Sequence, residues 1–110
     1  MAKVNNGVEE LSEKQFDDFV KKDLVLIDFF AEWCMPCVMM APVIDELSHV
    51  FKGKIDFGKI NVDDNQNLAQ KFDVMSIPTL IVFKEGKEVQ RITGALQQEQ
   101  LEEKLNGFVK

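Results

Sequence analysis

Leu24 to Phe30 is an almost continuous apolar run, Leu-Val-Leu-Ile-Asp-Phe-Phe, and it leads within three residues to Cys34-Met35-Pro36-Cys37. A run this short and this apolar is the signature of a central strand covered on both faces. A chain containing it must therefore place elements on both sides of a sheet. Asp28 interrupts the run, putting a carboxyl where the pattern otherwise demands hydrocarbon.

The remaining segments supply those covering elements. Val8 to Leu11 is expected to be a short edge strand, with residues 1–7 a loose end. Ser12 and Gln15 form a capping box and Leu11 with Phe16 a hydrophobic staple, so a helix starts there with Phe16, Phe19 and Val20 on one face. Met40, Val43, Ile44, Leu47, Val50 and Phe51 recur at helical spacing, which predicts a helix from about Cys34 to Phe51 with Pro42 kinking it. Ile55 to Val62 reads as a strand, Asp63-Asp64-Asn65 as turn and cap, and Leu68 with Phe72 as a short helix. Thr79 to Phe83 is a further strand. Glu85-Gly86 then turns the chain into Lys87 to Ile92 as an antiparallel hairpin, and Leu101, Leu105 and Phe108 mark a last helix. The expected fold class is α/β: one domain over residues 1–110, with a mixed sheet of four to five strands flanked by four helices.

A formal charge of −6 and a pI near 4.7 oppose binding to a phosphate backbone, so nucleic acid is not an expected partner. No apolar run approaches the roughly 18 residues that span a bilayer. The first residues, Met1-Ala2-Lys3-Val4-Asn5-Asn6-Gly7, have no apolar signal core, which sets the expectation of a cytoplasmic protein without membrane contact. In that compartment disulfides are usually transient, so two cysteines three apart point to catalysis, redox sensing or metal binding.

Residues three apart on a helix have Cβ atoms about 5–6 Å apart, and a tightened first turn brings them to disulfide distance. Cys34 and Cys37 can therefore switch between dithiol and disulfide with little backbone motion. A cysteine at a helix N-terminus also lies near unpaired N–H groups and the positive end of the dipole, both of which favour thiolate. A structural zinc site needs four ligands, and the chain offers only Cys34, Cys37 and His49. A site shared between two chains, or two inert thiols, are the alternatives. His49 falls on a polar face with Asp45, Glu46 and Lys52, which suits a surface residue. Met39 and Met40 are expected as rim and core, and Met75 as an extension of an apolar contact surface.

The stretch Asp28-Phe29-Phe30-Ala31-Glu32-Trp33-Cys34-Met35-Pro36-Cys37, with Ser76-Ile77-Pro78-Thr79 further on, resembles the thioredoxin family. Lys84-Glu85-Gly86-Lys87 and Gly94-Ala95-Leu96 extend the match over nearly the whole chain. The resemblance implies a thiol-disulfide oxidoreductase that reduces disulfides of target proteins through a mixed disulfide. It makes Cys34 the exposed nucleophile, Cys37 the more buried resolving thiol and Pro78 a cis proline facing the pair. Ile77 would offer its backbone to a substrate segment, and Trp33, Met35, Pro36, Thr93, Gly94 and Ala95 would complete a flat apolar contact surface. No cofactor is implied beyond the Cys34–Cys37 disulfide, and no metal. The implied partners are a thioredoxin reductase as electron donor and disulfide-containing targets, with the chain a monomer.

Independently of the family, a carboxylate on a doubly covered strand loses hydration, so the pKa of Asp28 should rise. Asp28 is expected to take the proton from Cys37, with Lys59 on the next strand as its partner. Three residues depart from the commonest family pattern: Met35 replaces a glycine, Val38 a lysine and Phe30 a tryptophan. Loss of a cation at Val38 should stabilise the Cys34 thiolate less and make the protein a somewhat stronger reductant. The competing functions are an oxidase or isomerase of the same fold, a glutaredoxin-like role, and a binding module that holds partners irrespective of redox state.

Overall fold

A computed structural model of the protein describes residues 4–5 and 7–109. The elements run β1 (Val4–Asn5), β2 (Val8–Glu10), α1 (Glu13–Val20), β3 (Val25–Phe30), α2 (Met35–Val50), β4 (Asp56–Asn61), α3 (Gln66–Lys71), β5 (Thr79–Lys84), β6 (Lys87–Thr93) and α4 (Gln98–Asn106). The sheet order is β1-β2-β4-β3-β5-β6. The five strands expected from the sequence are present, and β1 adds a two-residue pairing outside β2. That pairing falls inside the stretch expected as a loose end, and it displaces β2 from the edge of the sheet.

The apolar run of β3 occupies the middle of the sheet, parallel to β4 and antiparallel to β5. Val25, Leu26, Ile27 and Phe29 are fully shielded from solvent. Successive side chains of a strand point to opposite faces. Accordingly Leu24 and Leu26 pack with Met40, Ile44 and Leu47 of α2 and Leu101 and Leu105 of α4. Val25, Ile27 and Phe29 pack on the other face with Phe16 and Phe19 of α1 and Leu68 of α3. Asp28 shares the parity of Leu26, so it belongs to the α2–α4 side.

Local signals account for the boundaries. At the start of α1 the Ser12 backbone N–H donates to the Gln15 side chain at 2.9 Å, the reciprocal half of the capping box. Glu85 and Gly86 both have positive φ, +52° and +88°, the combination a two-residue type I′ hairpin requires, and glycine adopts it at no steric cost. Gly58 on β4 answers to a different demand. A Cβ there would lie 2.8 Å from Leu11 Cδ1 and 3.0 Å from Phe19 Cε2, so these side chains occupy the space that the missing side chain leaves on the strand. One cap differs from expectation: Asn65 stands at the N-cap of α3, but its amide donates back to the Asn61 carbonyl at 3.0 Å.

Strand direction decides what meets at one end of the sheet. The C-terminal ends of the parallel strands β3 and β4 lie together. Because β5 runs antiparallel to β3, its N-terminal end joins them, and the C-terminal end of β6 follows. Four loops, near residues 31–34, 62–65, 75–78 and 93–96, are thereby gathered at one rim.

Candidate active site

At that rim β3 passes through Ala31 into α2, and Cys34 is the N-cap residue with extended backbone. Pro36 lies in the first helical turn, where its missing N–H leaves no intrahelical bond unmade. The Cys34 backbone N–H donates to the Ala31 carbonyl at 3.2 Å, and the Val38 N–H donates to the Cys34 carbonyl at 3.0 Å, fixing the loop to the helix. The structure holds Cys34 and Cys37 as a disulfide with Cα atoms 5.2 Å apart, inside the range such a bond requires. The two sulfurs here stand for the thiols of the reduced protein. The Cys37 backbone N–H donates to Cys34 Sγ at 3.2 Å, the kind of contact at a helix start that stabilises negative charge on sulfur.

The expected contrast in cysteine burial is corrected. Cys34 and Cys37 are each 4% exposed, because in the disulfide both pack with Ala31 while Phe30 and Ile77 close over them. What separates the cysteines is orientation. Cys34 borders a groove of ≈ 460 Å³, and Cys37 does not. One wall of the groove is Trp33, Met35 and Pro36; the other is Val74 to Ile77, with Val62 between them.

The second wall is positioned by the residues expected from sequence. The Ile77–Pro78 peptide is cis, Pro78 is buried, and the Ile77 carbonyl oxygen lies 3.8 Å from Cys34 Sγ. The Gly94 N–H donates to the Pro78 carbonyl at 2.8 Å and Thr93 pairs with Thr79, so the loop after β6 is tied to the same rim. Ala95 lies apart from the Cys34 groove. It lines a second groove with Met35, Pro36, Met39 and Leu96 between α2 and the start of α4.

Trp33 is 71% exposed, yet its indole is anchored: Nε1 donates to Asp63 Oδ2 at 2.8 Å. Asp63 was legible only as a turn residue, since its partner is 30 positions away in sequence. Val62 and Val74 are groove residues that carry no motif, and topology alone brings them to the site.

Asp28 is 5% exposed, and its Oδ1 has no hydrogen-bond partner among the described residues. Burial pushes its pKa up to about 7, while the Lys59 charge pulls it down and Asp45 adds to the rise. Loss of hydration therefore outweighs the cation. Lys59 is the register partner of Asp28 on β4, but its ammonium sits 5.4 Å over the Phe30 ring, and among the described residues the two form no ion pair. His49 is exposed near the far end of α2, away from the rim. The described residues contain no group of three or more His, Cys, Asp or Glu side chains able to hold a metal. No helix among them is long and apolar enough to cross a membrane.

A cysteine pair that closes at the start of a helix, with one sulfur bordering an apolar groove, is built for thiol-disulfide exchange. Comparison with known proteins assigns the lineage. Residues 7–107 match the family model for thioredoxin. Thioredoxins of Staphylococcus haemolyticus and Staphylococcus aureus are each 44% identical to this chain over 100 residues, covering 91% of it and 96% of the relative. A solved structure of a mutant thioredoxin from Halobacterium salinarum superposes with a TM-score of 0.85 at 32% identity, covering 92% of this chain and 89% of that one. The chain belongs to the thioredoxin family, and its activity is that of a thiol-disulfide oxidoreductase.

Proposed function

We propose that the protein reduces disulfides of target proteins with Cys34 as nucleophile, Cys37 as resolving thiol and Asp28 as acceptor of the Cys37 proton. The observation that supports this division is the groove: Cys34 lines it and Cys37 does not.

In the reduced state the Cys34 thiolate attacks one sulfur of the target disulfide, forming the mixed disulfide and expelling the other target sulfur as a thiolate. The N–H of Cys37 and the start of α2 hold negative charge on Cys34 before that attack. Cys37 then loses its proton to Asp28 and attacks Cys34 Sγ, breaking the mixed disulfide, closing Cys34–Cys37 and releasing the second target thiolate. An acid with a pKa of about 7 can accept that proton at neutral pH and return it in the next cycle. Lys59 supports the carboxylate through space. Trp33, Met35, Pro36 and Ile77 flank the target segment beside Cys34. Pro78 holds the loop, and Ala95 of the second groove extends the contact surface together with Thr93 and Gly94, which line neither groove but are tied to the same rim through Thr79 and Pro78.

A thioredoxin reductase supplies the electrons, and the chain works as a cytoplasmic monomer of one domain with no bound cofactor or metal. Trapping tests the assignment. Cys37→Ser should accumulate a covalent complex with a disulfide-bonded protein through Cys34, whereas Cys34→Ser should accumulate none. Equal trapping by both variants would remove the distinction between the two sulfurs. Partner binding that survives Cys34→Ser, with no disulfide reduction detectable in the unmutated protein, would establish a binding module instead.

A further inference from the structure

Among the described methionines, three stand on the surface around the disulfide. Met35 is 66% exposed, Met39 70% and Met75 90%, whereas Met40, one residue on from Met39, is 2% exposed. Met35 and Met75 both line the groove that reaches Cys34; Met39 lines only the second groove, together with Met35. Thioether side chains suit an apolar surface that must adapt to many targets, because they are unbranched and polarizable. They also carry a liability. Peroxides convert an accessible thioether to the sulfoxide, a polar and chiral group.

The state of the cysteines decides when that liability matters. In a reduced protein, low-pKa thiolate is the expected first site of peroxide attack. In the disulfide form neither cysteine is free, and both sulfurs belong to residues 4% exposed. The exposed thioethers then become the accessible sulfur among the described residues.

We infer that Met35 and Met75 form a peroxide-responsive modification site in the walls of the Cys34 groove. The sulfur of each attacks the O–O bond of a hydroperoxide, takes up one oxygen atom as S=O and releases water, or the alcohol of an organic peroxide. The sulfur is oxidised by two electrons and the peroxide is reduced by two. The sulfoxides then face the segment of target that enters the groove, and their desolvation weakens docking while the Cys34–Cys37 bond is untouched. This effect on docking rests on the groove being where targets bind, as proposed above; the pattern of oxidation does not.

The test uses the disulfide form of the whole chain treated with hydrogen peroxide, cleared of peroxide, mapped by peptide mass spectrometry and assayed with reductant. Untreated protein is assayed first, so failure of disulfide reduction itself is seen separately. Met35, Met39 and Met75 should be converted about tenfold faster than Met40, following their exposure. KM for a disulfide-bonded protein substrate should then rise about fivefold, since even partial loss of apolar contact to a polar group has that scale. Reduction of a small disulfide that does not fill the groove should stay within about twofold, and methionine sulfoxide reductases should restore KM. The Met39→Leu variant should show the full peroxide-induced rise, Met75→Leu a smaller one and the Met35→Leu/Met75→Leu double variant none, each relative to its own untreated state. Oxidation of Met40 as fast as Met75 would overturn the proposal. So would an unchanged KM with Met35 and Met75 fully converted, or a rise that persists in the double variant.

Discussion

The two faces of the central sheet are built from alternate residues of the same strands, yet they do different work. On the α1–α3 side, Phe16, Phe29, Phe72 and Phe83 form a connected aromatic cluster, with Phe16 and Phe83 edge to face at 5.7 Å and Phe72 and Phe83 at 5.5 Å. No ionisable side chain is buried in it. The α2–α4 side is mainly aliphatic and contains, one step along β3 from Phe29, the buried carboxyl of Asp28. The contrast shows where this fold tolerates a cost. The aromatic face supplies stability, and the aliphatic face gives up some of it to keep a titratable group buried in the central strand.

Substitutions on the two faces should therefore fail differently. The largest stability loss is expected for Phe16→Ala, at about 3–5 kcal/mol from an aromatic core truncation, since Phe16 is 1% exposed and meets two rings, Phe72 at a tilt and Phe83 edge to face. Denaturant unfolding should register it, while the protein that remains folded keeps its rate of disulfide reduction; a loss of rate in the folded fraction would break the separation of faces.

Asp28→Asn should do the reverse, stabilising the fold and slowing the chemistry. The native carboxyl holds its proton up to about 7 against 3.8 for an ordinary aspartate, so between these values the folded state binds a proton that the unfolded chain has released. Stability must then fall as pH rises across that window and level off above it, by up to about 4 kcal/mol. Unfolding measured from pH 4 to 8 should lose this slope in Asp28→Asn. Resolution of the mixed disulfide by Cys37 should become slower and lose its dependence on a group titrating near 7. An unchanged rate and pH profile would remove Asp28 from the mechanism and leave it a feature of the fold.

Gly58→Ala sharpens the comparison on the stability side. Its Cβ would press on Leu11 and Phe19, and a loss of about 1–3 kcal/mol is expected from overpacking, with the redox potential unmoved. The smallest effect belongs to Arg91→Ala on the outer strand. Its guanidinium grips Glu88 at 2.8 and 2.9 Å, but both side chains are about a third exposed, so solvent screening limits the loss to about 0.2–1 kcal/mol.

Much of this was legible in the sequence, for identifiable reasons. The β3 run, the periodicity of α2 and the Glu85-Gly86 turn are local patterns, and each gave its element within a residue or two. The buried acid was visible as a single polar letter in an apolar strand. Other features depend on partners remote in sequence. The pairing of β1 spans two residues, too few for any period to show. Val62 and Val74 reach the groove only because parallel and antiparallel strands end at the same rim. The anchoring of Trp33 by Asp63 had no sequence signal beyond a turn. The position of Cys34 at the helix cap was expected, but its low exposure was not, since that follows from the closed disulfide and the cover of Phe30 and Ile77.

Val38 is 52% exposed and brings no cation, so the disulfide form is expected to be favoured and the potential to be low. The central claim, a reversible Cys34–Cys37 couple poised for reduction of targets, is tested most directly by equilibrating the protein in dithiothreitol buffers and following Trp33, the single tryptophan of the chain. Its fluorescence should change in one two-electron transition with a midpoint at or below about −270 mV, the general reference value for thioredoxin. A midpoint near about −120 mV, the range of a strong oxidant, or no transition at all, would contradict it.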